Sequence, residues 1–257
     1  MGKAKRLSFI LPLVAAVALL SLVLIENAFG QFFNLPPQPP PHEYGTIVMD
    51  RTSRAAGEKP VVFSHWTHRL KYTCRVCHFE LEFEFKAGAT PITEEDNRNG
   101  LYCGKCHNGY TAFGHTVNNC KKCHGKGGKE IKKKFNNVWK RLPHSEYGNR
   151  IDWVRAYKVT RPKYSIFLYE KPIRFKNILR LEAELTIIPP AVFPHWEHVQ
   201  QLDCSNCHPW IFNLKKKTTK HFSMDYILKG KFCGVCHTGV AFPIDNCKGC
   251  HPGIGKH

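Results

Sequence analysis

The chain has 257 residues, a formal net charge of +18, 42% hydrophobic residues and 12% aromatic ones. That hydrophobic content excludes a wholly disordered chain, and the length allows one or two domains. The unusual counts are 12 Cys and 15 His, and cysteine spacing constrains function more than any other count.

At the N-terminus Lys3, Lys5 and Arg6 precede an uncharged apolar run, Leu7 to Ile25, followed by Glu26, Asn27 and Ala28-Phe29-Gly30. Small residues stand where a signal peptidase inspects the chain, so residues 1–30 read as an export signal. The run also approaches the length of a membrane span, so the expectation is either cleavage or an anchor retained through residues 7–25. Positive residues ahead of the run place the body on the extracytoplasmic side in both cases. Residues 31–60 follow as a Pro-rich linker, with Pro36-Pro37-Gln38-Pro39-Pro40-Pro41 as a stiff extended spacer.

Every cysteine of the body belongs to a Cys-x-x-Cys-His motif. The six are Cys74/Cys77/His78, Cys103/Cys106/His107, Cys120/Cys123/His124, Cys204/Cys207/His208, Cys233/Cys236/His237 and Cys247/Cys250/His251. Two thiols at this spacing add to the two vinyl groups of one porphyrin, and the next His reaches its iron as proximal ligand. Zinc sites or disulfides do not require a His after every second Cys. Six covalently bound haem c groups are therefore expected.

The motifs lie in an internal repeat. Phe63-Ser64-His65-Trp66-Thr67-His68 recurs as Phe193-Pro194-His195-Trp196-Glu197-His198, and Gly100-Leu101-Tyr102-Cys103-Gly104 as Gly230-Lys231-Phe232-Cys233-Gly234, both offset by 130 residues. The third motif falls three residues short of that offset. Residues 61–125 and 191–257 are thus two triheme units. Between them, residues 126–190 read as a linker region. It holds a basic, solvated run Lys129 to Lys134, short helices at Asn136 to Leu142 and Ile151 to Tyr157, and short strands at Tyr164 to Tyr169 and Leu181 to Ile187. Elsewhere regular structure should be sparse, with short helices at the motifs and haem as the core.

Each iron has a second axial position. His65 and His68, like His195 and His198, are three apart, so one helical turn projects both rings toward two different haems. These four are read as distal ligands. For the third haem of the first unit the candidate is His115. For that of the second it is His221 or Met224, and His144 is a substitute from the linker. His42 and His257 are expected to face solvent.

Phe-x-His-x-x-His followed by three Cys-x-x-Cys-His motifs within about 60 residues resembles the triheme cytochrome c7 group, within the wider cytochrome c3 class. Cys204-Ser205-Asn206-Cys207-His208-Pro209, Gly234-Val235-Cys236-His237 to Ala241-Phe242, and Ile151-Asp152-Trp153-Val154 are similar to doubled c7-like proteins of anaerobic respiratory bacteria. The resemblance implies a mainly α fold with sparse secondary structure: two tandem triheme units, haem-cored, with two-His ligation. It implies that His65 serves the haem of His78, His68 that of His107, His195 that of His208 and His198 that of His237. One departure is that c7 carries its third distal His between the first and second motifs, whereas no spare His lies between His78 and Cys103.

Removal of residues 1–30 would leave a charge of +16, and about two propionates per haem offset most of it. The positive balance is therefore no sign of nucleic acid, and no nucleic-acid motif accompanies it. Lys129 to Lys134 and Lys215-Lys216-Lys217 are candidate surfaces for redox partner proteins, acidic ones in particular, or for a membrane electron-transfer complex. The expected role is that of a non-enzymatic electron carrier or relay in an extracytoplasmic, anaerobic respiratory chain. The alternatives are a multihaem reductase with one open haem, or an electron-transfer subunit of a membrane-bound or filamentous assembly.

Overall fold

The computed structural model describes residues 35, 37–125, 129–214 and 223–255. The expected signal or anchor, His221, Lys215 to Lys217 and His257 lie outside the described residues. The chain divides into two units, residues 1–37 and 38–257, and the second carries all six motifs.

Each triheme repeat opens on a two-stranded antiparallel ladder. Strand β1 (Thr46–Met49) pairs with β2 (Val61–Ser64), Thr46 opposite Ser64. Strand β3 (Ile178–Leu181) pairs with β4 (Ala191–Pro194), Ile178 opposite Pro194. The β-branched and aromatic residues of β2 and β4 suit half-buried strands. Residues 31–60 are therefore more than a spacer, because Thr46–Met49 is a ladder partner and Arg51–Ala55 is helical. The strand expected from Leu181 to Ile187 ends at Leu181 instead. Pairing with β4 sets the register, and Ile187 is left 78% exposed. The apolar run from Tyr164 to Tyr169 forms no strand, and only the neighbouring Lys163 makes a single bridge, to Tyr72.

Both ladders run directly into one-turn helices that carry the paired histidines, His65–Arg69 and His195–Val199. The motifs also coil as short elements. Val76–Glu80 is a π turn, Tyr102–Lys105 and Cys204–Asn206 are 3-10 turns, and Cys120–Cys123, Gly234–His237 and Cys247–Cys250 are α turns. The second motif of each repeat has a small residue for a steric reason. A Cβ on Gly104 would overlap the carbonyl oxygen of Asn97, and one on Gly234 that of Ile227. The preceding helices, Glu94–Arg98 and Met224–Leu228, press their last turns onto the motif at this point.

The segment read as a linker, 126–190, supplies most of a polypeptide core. Helices Lys129–Trp139 and Trp153–Thr160 bury Phe135, Trp153 and Ala156 together with Leu142 and Ile151. The cluster closes on Trp66 of the first repeat, 1% exposed, whose ring meets Phe135 edge-on at 5.2 Å. Asp152 caps the second helix by accepting from the Arg155 N–H. Apolar residues on one face of each helix meet Trp66, so the segment packs rather than spans. A polypeptide cluster thus stands beside the haem-cored units.

The two repeats touch at several points. Tyr44 donates its hydroxyl to the Ala241 carbonyl at 2.7 Å, the Arg75 N–H reaches the Gln201 carbonyl at 2.7 Å, and Asn206 Nδ2 donates to the His78 carbonyl at 2.9 Å. The Arg75 guanidinium is 6% exposed and pairs with buried Glu80, with Asp203 at 3.4 Å and with Glu170 at 3.8 Å.

Candidate haem sites

An imidazole can give one nitrogen to a metal when a hydrogen bond holds the other. Each proximal histidine meets that condition through a local or nearby carbonyl. His78 Nδ1 donates to Phe83 O at 2.8 Å, His107 to Phe113 O at 3.1 Å, His208 to Phe212 O at 2.8 Å and His237 to Phe242 O at 2.8 Å. For the third motifs the acceptor is remote in sequence: His124 Nδ1 donates to Lys59 O at 2.6 Å and His251 to Pro189 O at 2.7 Å. Lys59 and Pro189 stand just before β2 and β4, so both repeats anchor the third motif in the same way.

The paired histidines share this arrangement. His65 Nδ1 donates to Gly45 O at 2.6 Å and His195 to Asn177 O at 3.1 Å, residues that lead into β1 and β3. His68 uses Ser64 O at 3.2 Å and His198 Pro194 O at 2.9 Å. All ten of these rings therefore present Nε2. The phenylalanine of the Phe-x-His-x-x-His pattern has a role as well, because Phe63 packs on His68 at 4.4 Å and Phe193 on His198 at 4.2 Å.

Three ring pairs face one another. His65 and His78 have centroids 6.5 Å apart, His68 and His107 6.3 Å, and His198 and His237 6.4 Å. A metal–nitrogen bond of about 2 Å on each side, plus roughly 1 Å from each nitrogen to its ring centre, gives about 6 Å. These spaces therefore fit one iron between two imidazoles. Burial holds His65 and His237 down at about 4, so both are neutral near pH 7, as ligation requires.

The remaining candidates differ. Among the described residues no ring contact joins His195 to His208; His195 is flanked by the edges of Phe175 and Phe193. His115 is half-buried and lies close enough to His107 to depress its basicity, but no imidazole faces His124 or His251 among the described residues. Met224 is half-buried at the start of a short helix. His144 directs Nε2 to the Trp139 carbonyl at 3.1 Å, with its ring stacked on Trp139 at 3.9 Å. His42 is not solvent-facing: its side chain is 16% exposed, because its backbone carbonyl accepts from Trp66 Nε1 and holds it against the body.

No disulfide joins the cysteines, and no group of three metal-ligating His, Cys, Asp or Glu side chains converges among the described residues. The thiols are close enough to influence one another across motifs. Cys103 feels Cys123, Cys77 feels Cys103 and Cys106, Cys236 feels Cys74 and Cys207, and Cys233 feels Cys250. The repeats meet around the first motif, which touches the fourth through Arg75, His78 and Asn206 and lies near the fifth through Cys74 and Cys236.

Residues 61–125 and 191–252 each match the family model of cytochrome c7 and related cytochrome c. The chain is a multihaem c-type cytochrome of the cytochrome c3/c7 class, built of two tandem c7-like units. It carries six covalent haem c groups on its twelve cysteines and works in electron transfer. Among solved structures it is similar to the C-terminal hexaheme fragment of a dodecaheme cytochrome c, at 28% identity over 84% of this chain and 99% of that one, with a TM-score of 0.27. The N-terminal hexaheme fragment is 24% identical over 82% and 99%, with a TM-score of 0.26. Among curated proteins none is significantly similar in sequence.

The sequence reading missed the carbonyls that fix the rings and the residues joining the repeats. A weak signal existed for the first group, since a phenylalanine follows each of the first two motifs of both repeats by four to six residues: Phe83, Phe113, Phe212 and Phe242.

Proposed function

We propose that the protein is a non-enzymatic electron carrier or relay, acting outside the cytoplasm in an anaerobic respiratory chain. The cysteines form the thioethers, and His78, His107, His124, His208, His237 and His251 are the proximal ligands. His65, His68, His115, His195, His198 and His221 are the distal ones. The observation that carries this reading is the set of facing imidazole pairs at 6.3 to 6.5 Å, each with its outer nitrogen held by a carbonyl. An iron with both axial positions filled by protein binds no substrate, so it exchanges electrons only. Neighbouring attachment sites then provide a relay and a small store of charge. Lys132, Lys133 and Lys134, all exposed on one helix, supply a positive surface for an acidic redox partner.

A second reading is a reductase with one open haem, which the lack of a spare His between His78 and Cys103 in the sequence favours. Low-temperature electron paramagnetic resonance of the oxidised protein, with carbon monoxide titration of the reduced one, separates the two. Six low-spin two-His signals and no carbon monoxide uptake are expected. Stoichiometric uptake at one haem would move the assignment to a reductase.

A further inference from the structure

We propose that Arg69 is a positioning and potential-setting residue for electron exchange between the two triheme repeats, its charge lying where the first haem site of one repeat meets the second haem site of the other. The inference rests on the electron-carrier reading above. Arg69 follows the distal-ligand pair directly. Its Nε donates to the Tyr157 hydroxyl at 3.2 Å and its Nη1 to the Val240 carbonyl at 3.0 Å. Val240 lies between His237 and Phe242, the carbonyl that holds that ring, so the guanidinium grips the loop that orients the fifth motif. On the other side it lies 4.3 Å above the Trp153 ring. Tyr157 in turn lies beside Cys74 of the first motif. One side chain therefore touches the middle segment and the second repeat while standing next to the first haem attachment.

Its charge distinguishes it from Arg75, which meets Glu80, Asp203 and Glu170 at the same junction. Among the described residues no carboxylate pairs with Arg69. Its polypeptide partners are neutral oxygens and aromatic faces, which hold a cation without adding an opposing charge. The repeat supplies a comparison within the chain: the residue equivalent to Arg69 is Val199, buried at 7% exposure. The arginine is thus a feature of the junction and not of the c7-like unit.

Transfer across the junction leaves the donor iron oxidised by one electron and the acceptor iron reduced by one, with no proton or bond change. A fixed positive charge nearby favours the reduced state of both, so electrons dwell at the crossing. The test is a redox titration of the holoprotein with each haem followed separately by nuclear magnetic resonance. In Arg69→Met, two of the six haems, those of Cys74/Cys77 and Cys233/Cys236, are expected to fall in potential by about 59 mV, tenfold in the reduced-to-oxidised ratio. The other four are expected to stay, and Arg69→Lys to keep all six near their original values. If Arg69→Met does not fold with six haems, Arg69→Gln carries the same test, since it retains hydrogen-bonding groups without charge. No shift at those two haems in a folded, charge-free variant overturns the proposal, as does a uniform shift of all six or an equal effect from lysine. Carbon monoxide uptake by the unsubstituted protein overturns the carrier reading, whereas an absent shift in the charge-free variant overturns the Arg69 proposal alone.

Discussion

His68 shows how neighbouring residues build a candidate ligand site. Ser64 O holds its Nδ1, Phe63 stacks on one face and His107 stands opposite at 6.3 Å. Two of these three neighbours come from the same strand and helix, so the Phe-x-His-x-x-His spacing builds most of the site locally. His198 repeats it, with Pro194 O, Phe193 and His237 at 6.4 Å. Substituting His68→Ala is expected to convert one low-spin haem to a high-spin form that binds one equivalent of carbon monoxide when reduced. The spectrum of the remaining five should be unchanged. A variant that still shows six low-spin haems would remove His68 from the ligand set.

Among the elements, the two helices of the middle segment carry a burden that composition concealed. Their sequence is rich in lysine, yet Phe135 is 4% exposed and Ala156 fully buried, and both pack with Trp66 one residue after a candidate ligand. Packing of this kind fixes the direction of the His65–Arg69 turn, and with it where the two imidazoles aim. Phe135→Ala is expected to lower stability by about 3 to 5 kcal/mol, the usual cost of emptying an aromatic site in a close-packed core. Denaturant unfolding of the holoprotein measures it. A loss below about 1 kcal/mol would mean that haem alone organises this part of the fold.

At the scale of the whole molecule, the junction is held by a buried ion cluster and by hydrogen bonds from both repeats. Glu80 is 2% exposed, accepts from the Ile166 N–H at 2.8 Å and pairs with Arg75. Glu80→Ala would leave a buried charge with weaker partners, at a cost of about 3 kcal/mol. Glu94→Ala, which breaks a surface pair with Arg98, should cost less than about 0.5 kcal/mol. Comparing the two variants in denaturant tests whether the junction stabilises the whole chain: equal costs would show that the cluster is dispensable and the repeats fold separately.

The covalent chemistry was legible in the amino-acid order, because a Cys-x-x-Cys-His turn and a Phe-x-His-x-x-His turn each act within a few residues of chain. The repeat was legible for the same reason, as was the fold class that follows from six haems. What tertiary structure decided is contact across distance. His124 is held by Lys59, 65 residues away, and His251 by Pro189, 62 residues away. His65 and His195 are held by carbonyls 20 and 18 residues upstream, through ladders whose first strands looked like linker. Backbone carbonyls have no side-chain signature, so no pattern announces them. The place of Arg69 was equally hidden, since its partners Tyr157 and Val240 lie 88 and 171 residues along the chain. Spacing reaches one helical turn; beyond that, which groups meet is set by how the whole chain closes on itself.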